Sequence, residues 1–211
     1  CCFSYLDIRK ITTFNHLTIM VDFLKAKEHA VHLLQTRLSP DLHYHNLEHT
    51  LDVCATCERI AGDEGVQDTE ELLLLKTAAM YHDTGFVNVY DHHEEEGCRL
   101  VAEILPNFGY SAAQIEEICG LIMKTKIPQT PETHLQRILC DADLDHLGRD
   151  DFWKIGVRLF NEWKAIGKVT TEQEWNEIQI QFLEGHTYWT SSSHKSRDEG
   201  KVKHLDALTR L

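Results

Sequence analysis

The sequence predicts an all-α protein. Apolar residues recur at helical spacing along nearly the whole chain, as in Leu24, Ala30, Val31 and Leu34 or Leu72, Leu75, Ala78, Ala79 and Met80, while sustained two-residue alternation is scarce. Residues suited to capping helices stand where these stripes begin. With only 4 prolines and no Pro/Gly/Ser-rich linker, nothing divides the 211 residues into separate units.

Start and stop signals cut the pattern into helices over 18–38, 46–63, 69–82, 92–106, 111–125, 132–146, 150–167, 171–188 and 194–209. Asn46, Ser111 and Thr171 or Thr170 each offer a side-chain oxygen to the free N–H groups of a following first turn. Ser191 to Ser193 read as a polar connection. Residues 20–211 form one helical domain in this reading, opened by an amphipathic helix at Met20. Residues 1–19, which begin Cys-Cys, read as a leader, tag or upstream extension.

Apolar content of 42% and charged content of 26% are those of a globular protein and exclude a disordered one. A formal charge of −13 disfavours long-range attraction to a phosphate backbone, so nucleic-acid polymers are not expected as partners. Small phosphorylated molecules stay compatible, because a divalent cation reverses the charge locally. Seven scattered cysteines point to reduced thiols and a cytoplasmic setting. The Cys54/Cys57 pair lies in a helical stretch without a redox context and reads as buried thiols. No apolar run is long enough for a membrane span or a secretory signal.

Six of the 14 histidines (His43, His45, His49, His82, His92 and His93) fall between residues 43 and 93, beside acidic residues. His49 lies in Tyr44-His-Asn-Leu-Glu-His-Thr-Leu-Asp-Val53, His82-Asp83 closes a helix before Thr84-Gly85, and Asp141 opens Asp141-Ala-Asp-Leu-Asp145. Two imidazoles and two carboxylates supply nitrogen and hard oxygen donors suited to Mn, Fe, Zn, Co or Mg, and two negative charges to offset an ion. Neighbours on a helix diverge by about 100°, so His82 and Asp83 converge on one ion only where the helix ends.

This H…HD…D order resembles the HD superfamily, and Tyr44 to Val53 resembles the YHNxxHAxDV signature of cyclic-nucleotide phosphodiesterases. The resemblance implies an HD-type helical bundle, with His49, His82, Asp83 and Asp141 as ligands for one or two divalent ions. It further implies Asp83 as the bridging and catalytic carboxylate and His45 as the general acid. Leu139 to Gly148 is similar to compact stand-alone HD phosphohydrolases, in which the first aspartate is the ligand. The implied activity is hydrolysis of a small phosphomonoester, phosphodiester or nucleotide by metal-activated water.

Departures narrow that inference. Thr50 replaces the alanine of the phosphodiesterase signature, and the chain is much shorter than those catalytic domains. No counterpart of their purine-clamping glutamine stands out, so cyclic-nucleotide specificity does not transfer. Phe86 stands where the HD-GYP hydrolases carry lysine, and the HDxxED pattern of guanosine tetraphosphate hydrolases is absent. Two other function classes fit the same scaffold, namely a di-iron oxygenase of the inositol oxygenase kind and a non-catalytic metal-binding sensor.

Several residues keep two readings. His45 shares a helix face with His49 and is the acid, a donor to a ligand or a neighbour of one. Asp52 orients an imidazole or is a solvated charge. His92 and His93 ligate a second metal or open a charged helix start with Glu94 to Glu96. Lys124 and Lys126 are the phosphate-binding candidates, against the ordinary solvent-facing role of lysine. Trp153, Trp163, Trp175 and Trp189 read as packing residues.

Overall fold

Helical periodicity and capping chemistry produce the observed elements. The computed structural model describes residues 21–211, so residues 1–19, the part of the first predicted helix before residue 21, and Cys1 and Cys2 lie outside the described residues. Each of the nine predicted segments contains one α-helix: α1 Phe23–Arg37, α2 Leu47–Asp63, α3 Thr69–Tyr81, α4 His93–Ile104, α5 Ala112–Ile122, α6 His134–Asp143, α7 Phe152–Ala165, α8 Glu172–Gly185 and α9 Ser191–Leu208. Short 3-10 turns follow α3 (Thr84–Val87), α4 (Leu105–Phe108) and α6 (Asp145–Gly148). No strand occurs among the described residues.

Caps set the boundaries. Asn46 accepts from the backbone N–H groups of Glu48 and His49, while Ser111 with Gln114 and Thr171 with Glu174 form reciprocal capping boxes. Within the described residues the first helix begins at Phe23, where Asp22 accepts from the Lys25 N–H; the start read at Met20 lies outside the described residues. Ser191 to Ser193 are the first turn of α9 and not a connection, because Thr190 accepts from the Ser193 N–H. Leu24, counted in the apolar stripe of α1, is 71% exposed.

Helices α1 to α6 share the larger core, built around Ile60, Leu75, Tyr81, Leu105, Ile118, Leu121 and Ile138. A smaller core joins Leu144 and Leu147 of the third 3-10 turn region to Phe152, Leu183 and Leu208 of α7, α8 and α9. The five described cysteines are free, with Cys57 and Cys140 buried and Cys54 half-buried. Among the described residues no helix is long and apolar enough to cross a membrane.

One buried carboxylate fastens the smaller core to the larger. Asp145, 1% exposed, accepts two bonds from Arg197 of α9 (2.8 and 3.0 Å) and one from Arg59 of α2 (2.8 Å). Glycine makes the contact possible: a Cβ on Gly148 would fall 2.3 Å from the Arg197 carbonyl oxygen, and one on Gly200 would fall 2.1 Å from that of Gly148. The Asp145→Ala variant should lose about 3 kcal/mol, the low end for breaking a buried ion pair because both guanidinium groups keep access to water. Chemical denaturation measures this, and a loss below about 1 kcal/mol would show the pairs to be no better than surface ones.

Candidate metal centre

The ends of three helices meet at one point. On α2 the buried stripe is His49, Val53, Cys57 and Ile60, so His49 is the first inward-facing residue after the Asn46 cap. At the other side α3 is buried over Ala78 to Tyr81 and stops there; His82 keeps helical dihedrals, whereas Asp83 turns to φ −101°, ψ 4° and leaves the helix. That break lets two adjacent side chains converge. Gly85 brings α4 against the same turn, since a Cβ there would lie 1.9 Å from the His93 carbonyl oxygen.

Donor atoms of His49, His82 and Asp83 all lie within 4.8 Å of one another. The two imidazoles face each other through Nε2 at 3.4 Å, and Asp83 Oδ2 stands 3.4 Å from His49 Nε2 and 3.2 Å from His82 Nε2. His82 Nδ1 is bonded to the Ala79 carbonyl at 2.8 Å, which places its proton there and leaves Nε2 as a donor of electrons. Asp83 Oδ2 is buried and lacks any hydrogen-bond partner. An ionised oxygen does not stay buried and unpaired without a compensating charge, so this donor set fits a divalent cation.

The fourth side chain is Asp143, not Asp141. Asp143 Oδ1 lies 3.2 Å from His49 Nε2 and 3.5 Å from His82 Nε2. Two positions apart on α6 means about 200° of rotation, so only one of these aspartates can face the imidazoles. Asp141, fully buried, accepts from the Trp189 N–H (2.8 Å), the Thr190 N–H (2.8 Å) and the Thr190 hydroxyl (2.7 Å), and thereby pins the start of α9. Burial raises the Asp141 pKa. Burial also opposes ionisation of Asp83 and Asp143, while positive charge on the neighbouring imidazoles holds both well below the usual carboxylate range; a bound cation would supply that charge in the place of the imidazole protons.

Other candidates separate clearly. His93 Nε2 lies 3.6 Å from Asp83 Oδ1 and 3.6 Å from Glu94 Oε1, on the side of Asp83 away from Oδ2. His92, by contrast, is the left-handed residue (φ 64°) before α4, and its side chain is 75% exposed near Lys126. It does not join the site. Lys124 is paired with Glu132 at 2.8 Å and Lys126 with Glu95, and neither lines the cavity described below. Asp52 bonds to Arg149 at 2.7 Å rather than to an imidazole.

His45 lies beside the candidate ligands, its ring 6.0 Å from that of His49. Its Nδ1 is hydrogen-bonded to Oε1 of Glu162, a fully buried carboxylate of α7 that also accepts from Tyr90 (3.0 Å) and from the Tyr44 (2.8 Å) and His45 (3.0 Å) N–H groups. Burial alone would lower the His45 pKa, but the bond to Glu162 and the charges of Asp83 and Asp143 outweigh it and raise the value. Phe86 is stacked against His45 (4.4 Å) and His93 (3.8 Å) and fixes both rings. His146, 3.4 Å from the Tyr44 hydroxyl, is pushed by burial down to about 3 and stays neutral.

A cavity of about 320 Å³ opens from Tyr44, His45, Asp83, His93 and Asp143 and runs between α7 and α8. Trp163 and Trp175, read from sequence as packing residues, do pack edge-to-face at 5.5 Å, but they also line this cavity. Sequence patterns did not single out Asp143, Glu162 or Gln179, and marked Phe86 only as a departure from the HD-GYP pattern. For Glu162 a signal existed: it continues the apolar stripe Ile155, Leu159 on α7, and an acid on such a face requires a partner.

Residues 46–147 match the family model described as HD domain, a span that contains His49, His82, Asp83 and Asp143. Among solved structures the chain is similar to a predicted HD superfamily hydrolase from an uncultured Thermotogales bacterium. The identity is 20% over 87% of this chain and 89% of that one, with a TM-score of 0.58, a likeness of fold. No curated protein matches.

The two aspartates of α6 should respond oppositely to truncation. Asp143→Ala should weaken Mn²⁺ binding in calorimetry by about 100-fold or more, since loss of groups that merely orient ligands already costs 10–100-fold. Asp141→Ala should instead cost about 2–4 kcal/mol of stability by orphaning buried donors, with the smaller effect on affinity. The reverse pattern would return the ligand role to Asp141.

Proposed function

The chain belongs to the HD-domain superfamily through residues 46–147, and we propose that it is a metal-dependent hydrolase of small phosphate esters. The observation that carries this reading is the buried, partnerless Asp83 Oδ2 facing two Nε2 atoms. His49, His82, Asp83 and Asp143 would hold the cation. When bound, a divalent ion supplies Lewis acidity, making water a nucleophile near neutral pH and offsetting charge on the phosphoryl oxygens. His93, on the Oδ1 side of Asp83, is the donor available for a second ion.

The rest is done by the chain. Hydrolysis joins a water oxygen to phosphorus and breaks the ester P–O bond, and the departing alkoxide needs a proton. His45 lines the cavity and commits Nδ1 to Glu162, which leaves Nε2 free to deliver that proton. Glu162 keeps the ring oriented and favours its charged form. Phe86 and Tyr44 cover the imidazoles and exclude water from their faces. Substrate enters as a small phosphorylated molecule or nucleotide, because the net charge of −13 repels longer anionic polymers.

Chelation followed by desalting should abolish phosphate-ester turnover, and a divalent salt should restore it; a metal-free sample of undiminished rate would falsify the assignment. His45→Ala should lower kcat/KM by about 100- to 10,000-fold on an alkyl phosphate, and by much less on p-nitrophenyl phosphate, whose phenolate departs without a proton.

The pH profile supplies a sign test. The acid works while protonated, so activity falls as pH rises through the pKa of His45, which Glu162 helps to raise. Asp83, Asp143, His49, His93, Tyr44 and Tyr90 also surround the ring and remain in the variant. Glu162→Gln should therefore move the alkaline limb to lower pH. An unmoved limb would remove His45 from the acid role.

A further inference from the structure

Beyond the metal ligands, the cavity changes character. Its far walls are Ile155, Leu159, Trp163, Trp175, Ile178 and Phe182, and no lysine or arginine lines it anywhere. The carboxylates among its lining, Asp83, Glu94 and Asp143, cluster at the metal end together with His45, the one lining side chain assigned a positive charge, and leave the far walls uncharged. A substrate bearing a second phosphate or a carboxylate inside this space would surrender its hydration without gaining a counter-charge. A sugar would likewise leave several hydroxyls unpaired against aromatic and aliphatic walls.

The neutral polar groups are few. The Thr125 hydroxyl already donates to the Ile122 carbonyl at 2.8 Å, and the Tyr44 hydroxyl is next to His146. Gln179 of α8, 9% exposed, keeps an amide whose one hydrogen bond among the described residues, donated to Asn176 Oδ1, is long at 3.5 Å. Opposite it stands Gly156, in the interior of α7, where a Cβ would come within 3.0 Å of Gln179 Oε1. Glycine inside a helix costs about 1 kcal/mol relative to alanine, and here it makes room for that amide to stand at the cavity wall. About 320 Å³ is the size of a small-molecule site, continuous with the metal centre.

We propose that this cavity holds the leaving group of the substrate, and that this group is an uncharged, largely apolar alcohol of ring size making one amide contact, with Gln179. The inference rests on the phosphate-ester hydrolase reading for the word substrate, while the cavity's preference for an apolar alcohol is measurable without turnover.

The test uses the full chain with two readouts. Calorimetry with 1-naphthol, on metal-free and Mn²⁺-loaded protein, reads the cavity alone; kcat/KM for 1-naphthylmethyl phosphate, glucose 6-phosphate and ATP reads selectivity, the first two being primary alkyl esters whose alcohols both need a proton to leave. We expect 1-naphthol to bind both forms, and 1-naphthylmethyl phosphate to be preferred by tenfold or more. Gly156→Leu, which fills the space beside Gln179, and Leu159→Gln, which makes a wall polar, should each weaken naphthol binding tenfold or more with Mn²⁺ content unchanged. Absence of naphthol binding to wild-type protein, or equal turnover of glucose 6-phosphate or ATP, overturns the proposal and leaves the hydrolase reading standing. Naphthol binding without hydrolysis of any ester under any metal sustains the apolar site and sinks the hydrolase reading instead.

Discussion

A buried carboxylate, Asp83, and a half-buried one, Asp143, directed at two buried imidazoles form the constraint around which this molecule is organised. Bringing His49, His82, Asp83 and Asp143 out of water is costly, and the residual cost is visible as an Asp83 oxygen with no partner. Several features far from chemistry serve this one arrangement. The Asn46 cap starts α2 one turn before His49, the end of α3 frees Asp83 from its helix, and Gly85 admits α4 with His93. Each is a local choice that makes sense only together with the others.

A second electrostatic layer is built on different elements. Glu162, wholly buried on α7, is satisfied by four donors and would be an expensive isolated charge otherwise. It ties the helix that walls the cavity to the loop that carries Tyr44 and His45. The proposed proton donor His45 and the cavity wall are thereby held to one another by hydrogen bonds rather than by packing alone, which is the kind of support a reacting geometry needs.

Much of this was legible in the residues. The existence of all nine α-helices among the described residues followed from periodicity and caps, because both are properties of short stretches of chain. His49, His82 and Asp83 were legible for the same reason: their spacing and the helix break after Tyr81 are local. Asp143 was not, because the choice between it and Asp141 depends on which side of α6 faces α2 and which faces residues 189–190, a tertiary fact. His92 and His93 illustrate the point at one-residue resolution. The left-handed turn at His92 sends it outward while its neighbour reaches Asp83. The apolar cavity escaped altogether, since Trp163, Trp175 and Gln179 read as ordinary members of two amphipathic helices until α7 and α8 are set side by side.

Whether these four side chains hold a cation is read most directly by anomalous diffraction at the manganese edge, from crystals of the full chain grown with Mn²⁺. A peak is expected about 2.0–2.4 Å from His49 Nε2, His82 Nε2, Asp83 Oδ2 and Asp143 Oδ1. A clean map with no peak among them, or an ion carried by Asp141 while Asp143 faces water, would contradict their assignment as ligands.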